Sequence, residues 1–154
     1  MSSTLETVQA MLQSVTGLPY CTGTVPLDAT NSTLFYRSGD LKADHFSPLQ
    51  LGIIKSIVES LFHGQREATD TRVELYKLNV YGLGAFFKAH VDTLRSDKMF
   101  GSLVVVLPTA HTGGSLIFRH QGNEWTFDSA KAVNEESTPY AAFVAFFSDV
   151  EHEV

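Results

Sequence analysis

Ser102-Leu103-Val104-Val105-Val106-Leu107-Pro108 is a run of apolar, mostly β-branched residues stopped by a proline. Continuous, apolar and β-branched, it reads as a strand buried on both faces. Working outward upstream, Tyr76-Lys77-Leu78-Asn79-Val80-Tyr81 alternates as a strand should. Gly82-Leu83-Gly84 follows as a turn, and Ala85-Phe86-Phe87-Lys88-Ala89 leads into His90-Val91-Asp92. Downstream, His111-Thr112-Gly113-Gly114 reads as a turn, with further strands expected at 115–119, 124–127 and 140–147. The chain then closes on Ser148-Asp149-Val150-Glu151-His152-Glu153-Val154.

Strand, polar pair, buried strand, glycine turn and three more strands predict an α+β, mainly β chain. Its plan is that of a double-stranded β-helix, a cupin-like jelly roll with a ligand in its mouth. The front half supplies bracing helices. Ser3 or Thr4 can cap a first helix to about Val15, with Leu5, Val8, Met11, Leu12 and Val15 at helical spacing. A second is expected from Ser47 as cap and Pro48 in the first turn, with Leu51, Ile54, Ile57, Val58 and Leu61 on one side and Gly64 closing it. Between them, residues 20–48 are rich in Thr, Asp, Ser and Gly, and one strand is expected at 33–37. Residues 1–74 thus read as scaffold and 75–154 as jelly-roll core of one domain, incomplete at its C-terminal end.

The chemistry lies in His90 and Asp92, answered sixty positions later (152 − 92) by His152. In an extended chain, positions 90 and 92 project from one face about 7 Å apart, close enough for rotamer choice to converge them on one ion. Two imidazoles and one carboxylate suit a borderline divalent metal such as Fe(II) and leave about three of six octahedral positions open. Open positions are what make such a site catalytic. His45, His63, His111 and His120 read instead as exposed or capping residues. A zinc hydrolase would need a nearby glutamate as general base. Glu151 and Glu153 flank His152, but the strand period turns them away from a metal.

The strings Tyr81-x-x-Gly84-x-Phe86-Phe87-x-x-His90-x-Asp92, Gly113-Gly114-Ser115-Leu116-Ile117-Phe118 and Phe147-Ser148-Asp149-x-x-His152-Glu153-Val154 occur in that order. Over about half the chain, this set resembles the prolyl 4-hydroxylase-like branch of the iron(II)/2-oxoglutarate-dependent dioxygenases. The resemblance implies Fe(II) held by His90, Asp92 and His152, with Tyr81 contacting bound 2-oxoglutarate and Phe118 lining the barrel. It also implies hydroxylation of a peptide, a protein side chain or a small molecule. Relatives usually carry an arginine or lysine about nine or ten residues past the distal histidine, whereas this sequence stops two residues after it (154 − 152). A desolvated carboxylate without such a partner forfeits roughly 2–5 kcal/mol. Arg119, Arg95 or Lys88 could supply the charge. The alternative is a non-catalytic metal-binding jelly-roll module that pairs through an open sheet edge with a partner or a second copy. Asp149 reads either as a residue orienting the distal imidazole or as a turn cap.

At 154 residues with 44% hydrophobic content, the chain can bury one proper core. A net charge of −6 without any basic run argues against nucleic acid as the main partner. No apolar run approaches the roughly twenty residues a membrane-spanning helix needs. Cys21 is the single cysteine, so no internal disulfide forms. With no basic-then-apolar leader at Met1, a cytoplasmic or nuclear protein is expected. Residues 93–101 and 128–139 read as rim loops that would choose the substrate.

Overall fold

The computed structural model describes residues 18–26, 35–37, 40–42, 48, 51–63, 65, 67, 70–134 and 140–154. In chain order these form β1 (Tyr20–Pro26), β2 (Phe35–Arg37), β3 (Asp40–Lys42), α1 (Ile53–Phe62) and β4 (Gly101–Val106), then β5 (Leu116–His120), β6 (Asn123–Phe127), α2 (Ser129–Asn134), β7 (Tyr140–Phe147) and β8 (Glu151–Glu153). The chain is mainly β. All strand pairs are antiparallel, in the orders β1-β7-β4, β2-β3 and β6-β5-β8.

β7 is the backbone of the core. Its Ala-Ala-Phe-Val-Ala-Phe-Phe run is buried throughout, because β1 and β4 flank it and both of its faces are covered. Val144 pairs with Thr22 on one side and Val104 on the other. Gly23 faces Phe143, and a Cβ at position 23 would come 2.6 Å from Phe143 Cζ, so the phenyl occupies the room a side chain would need.

β4 is only half-buried along its length, which corrects the expectation of burial on both faces. It is an edge strand, and the centre of the sheet belongs to β7. β1 falls in the stretch read as loop. As the opposite edge strand it exposes Thr22 and Thr24 and turns Val25 inward, a pattern too short and too polar to stand out.

α1 buries Ile53, Ile54, Ile57, Val58, Leu61 and Phe62, the 3.6-residue pattern of a one-sided helix. Phe62 meets the sheet edge-on at Phe147, with ring centroids 5.7 Å apart. The helix begins later than expected. Gly52, at φ 75°, is its cap, and the Pro48 carbonyl accepts from the Ile53 amide at 3.0 Å. His63 ends it in the left-handed region at φ 49°. The first expected helix at 3–15, His45, Ser47 and Gly64 lie outside the described residues.

β5 and β6 form a hairpin whose turn residues Gln121 and Gly122 both have positive φ, as a two-residue turn matched to strand twist requires. Residues 129–134 of the expected rim loop are helical, and the Asp128 carboxylate accepts from the Lys131 amide at 3.0 Å to cap that turn. The Gly82–Gly84 turn is present, closed by the Ala85 amide on the Gly82 carbonyl at 3.0 Å. Residues 76–81 are not a strand: they are exposed and pair with no strand among the described residues.

The two three-stranded sheets meet through an aromatic layer. Tyr20 stacks on Phe118 at 5.3 Å, and Phe118 packs on Phe146 at 5.1 Å. Phe118 and Phe146 are almost wholly buried, and each such side chain contributes roughly 1.5–3 kcal/mol on burial. Among the described residues, no helix is long and apolar enough to cross a membrane.

Candidate metal centre

The site is assembled on β8 and on the segment that pairs with its free side. β8 carries Glu151, His152 and Glu153, with His152 buried and the two glutamates half-buried. On one side it pairs with β5, setting Phe118 opposite His152 on the inner face. On the other, the His90 and His152 backbones exchange hydrogen bonds at 3.1 and 2.9 Å, and Phe87 and Val154 exchange another pair at 2.9 and 3.1 Å. Between these pairs one chain advances three residues (90 − 87) and the other two (154 − 152), so residues 88–89 hold the extra residue of a β-bulge.

Main-chain carbonyls hold both imidazoles. The Lys88 carbonyl accepts from His90 Nδ1 at 2.9 Å, and in the same way the Val150 carbonyl accepts from His152 Nδ1 at 3.1 Å. With both Nδ1 atoms donating to main-chain carbonyls, the neutral rings carry their lone pairs on Nε2. Asp92 Oδ1 lies 3.9 Å from His90 Nε2 and 3.6 Å from His152 Nε2. One donor atom from each of the three residues falls within 4.8 Å of the others. The ring centroids of His90 and His152 are 4.2 Å apart, walled by Phe87 against His90 and Phe146 against His152. Burial pushes the His152 pKa below its ordinary value, against the opposing pull of the Val150 carbonyl and Asp92. The neutral ring is the form that binds a metal. Two imidazoles and one carboxylate match a divalent transition metal in donor type.

Ser102 completes the arrangement. Its hydroxyl donates to Asp92 Oδ2 at 2.5 Å, leaving Oδ1 toward the imidazoles. In the sequence Ser102 reads only as the start of a strand. The signal was there in a hydroxyl opening a run that is otherwise Leu and Val.

Arg119 lies on the other face of the sheet. Its guanidinium donates to Glu124 at 2.8 Å, Glu153 at 2.6 Å and Glu151 at 3.5 Å. Those partners also account for Glu151 and Glu153, which turn away from the triad. Tyr81 is 41% exposed, with its phenol pushed up by partial burial. Arg95 lies over the Tyr76 ring at 4.2 Å, and its Nη2 is 3.8 Å from a Glu74 carboxylate oxygen. Lys88 is exposed. Asp149 reaches toward His120 at 4.0 Å, so the orienting partner of His152 is the Val150 carbonyl. His111 is held by the Thr109 carbonyl and the Ser129 hydroxyl, apart from the triad.

Comparison of the chain with protein-family models, with curated proteins and with solved structures finds no match in any of the three.

Proposed function

We propose that the chain is an iron(II)- and 2-oxoglutarate-dependent dioxygenase of prolyl 4-hydroxylase-like, jelly-roll type, with His90, Asp92 and His152 as the metal ligands. The observation that carries this reading is the convergence of three donor atoms within 4.8 Å, on rings whose Nδ1 atoms are already committed to the Lys88 and Val150 carbonyls. Preset rings need little rearrangement to bind, and a three-ligand face leaves positions for cosubstrate and oxygen. Iron held by His90, Asp92 and His152, with 2-oxoglutarate as the co-reductant of O2, would supply the oxidising power to hydroxylate a substrate C–H bond, with succinate and CO2 as co-products. The protein's part is to hold the ligand geometry with His90, Asp92 and His152, and to keep water off one side with Phe87 and Phe146. The substrate is a peptide, a protein side chain or a small molecule.

A second reading is a metal-binding module without 2-oxoglutarate turnover, paired with a partner or a second copy. Arg119 favours it, because the cation expected to meet the distal carboxylate is engaged by three glutamates on the opposite sheet face. Anaerobic addition of 2-oxoglutarate to the Fe(II)-loaded protein separates the two. The dioxygenase reading predicts a weak visible charge-transfer band from chelation at the open positions. Iron binding without that band favours the module.

A further inference from the structure

We infer that Ser102 is a positioning residue that makes Asp92 a one-oxygen ligand, an inference that rests on the metal-centre reading above. Ser102 is the second residue of β4, in the β1-β7-β4 sheet, whereas Asp92 follows the segment paired to β8 in the facing sheet. The hydrogen bond between them therefore ties the two sheets at the site.

The hydroxyl has one proton, and Asp92 Oδ2 takes it. Oδ1 remains as the oxygen nearest both Nε2 atoms. A carboxylate pinned in this way presents a single donor, which keeps the ligand count at three. A free carboxylate can swing and chelate through both oxygens, closing a position that substrate or oxygen needs. Ser102 also pairs across the strands with Phe146, the residue packed on the His152 ring at 4.5 Å. One cross-strand pair thus sets the carboxylate through its hydroxyl and supports the imidazole through its phenyl. Packing alone gives no reason for the hydroxyl: alternation places Val104 and Val106 on the same face of β4, and valine has the higher strand preference.

The test is Co(II) titration of the full chain, read by binding affinity and by the d–d absorption spectrum, for the wild type, Ser102→Ala, Ser102→Thr and Asp92→Ala. Ser102→Ala is expected to bind about 10–100-fold more weakly, the usual cost of losing an outer partner of a ligand. Its d–d bands should also shift as the carboxylate rotates, a change that a purely structural role would not produce. Ser102→Thr keeps the hydroxyl and is expected to restore both affinity and spectrum. If the alanine variant does not fold by far-UV circular dichroism, Ser102→Cys, with a weaker donor of similar size, gives the same readouts. Wild-type affinity and spectrum in the variants lacking the hydroxyl, with Asp92→Ala inactive in binding, would overturn the role of Ser102 alone. Absence of Co(II) binding by the wild type, or equal binding by Asp92→Ala, would overturn the metal centre and this inference together.

Discussion

β7 is buried at every position from 141 to 147, whereas β8, in the facing sheet, is buried only at His152. The two strands nearly adjoin in sequence and share the aromatic layer, yet they are composed on opposite rules. In β7, neighbours on both sides leave no position for a polar group. In β8, alternation separates two kinds of work within three residues: Glu151 and Glu153 go outward to Arg119, and His152 goes inward to meet Asp92. One sheet therefore carries most of the packing, and the other carries a candidate metal ligand on one face and an ion-pair cluster on the other. A change in the first should act on stability, and a change in the second should separate metal binding from stability.

Val144→Asp is the most severe way to test that division. Val144 is fully buried between Thr22 and Val104, and an unpaired carboxylate there is expected to cost at least 3–5 kcal/mol, a large part of the roughly 5–15 kcal/mol a domain holds. Urea denaturation should find no cooperative transition, or one at far lower midpoint. Gly23→Ala comes next, because its Cβ must displace the Phe143 ring. About 1–3 kcal/mol is expected, with metal affinity unchanged once the protein is folded. A neutral result in the same unfolding experiment would mean that the ring moves freely.

Arg119→Ala probes the outer face of the second sheet. Removing the guanidinium leaves Glu124, Glu151 and Glu153 close together without their counter-charge, so stability should fall at neutral pH. The loss should shrink when the carboxylates are protonated in acid, which thermal melts at two pH values would detect. If the proposed site depends only on the inner face, Co(II) affinity should change little.

The smallest effect is expected at Cys21, whose thiol burial pushes from 9.0 up to about 11. A folded-state pKa raised for an acid means that the unfolded thiol ionises first. Its contribution is intact below pH 9 and is lost as pH rises from about 9 toward 11. Urea midpoints should fall over that window more steeply in the wild type than in Cys21→Ala, and alkylation of the native thiol at pH 8 should be slow.

Which parts of this were legible in the chain follows from how local each signal is. β7 falls on the expected span of 140–147, and the β5 and β6 strands lie within a residue of expectation, because apolar runs are short-range features. The apolar face of α1 was likewise readable from its spacing. The members of the triad were visible as His-x-Asp and a distal histidine, and the structure brings all three together. The competition for the middle of a sheet was not legible. Leu103–Val106 looks as buried as β7 in sequence, yet β4 has a neighbour on one side only. The alternation at 76–81 was equally strand-like, but alternation supplies no partner. The bulge at 88–89 and the bond from Ser102 to Asp92 arise only when segments distant in sequence pair, so no local pattern announces them.

Calorimetric titration of the protein with Co(II), alongside Asp92→Ala, asks whether His90, Asp92 and His152 act as one metal centre. One ion per chain is expected in the wild type. Asp92→Ala should lose more affinity than the roughly 10–100-fold cost of an outer partner, with the far-UV spectrum unchanged, if the triad is one centre. No binding by the wild type, or equal affinity in the folded Asp92→Ala variant, would contradict it.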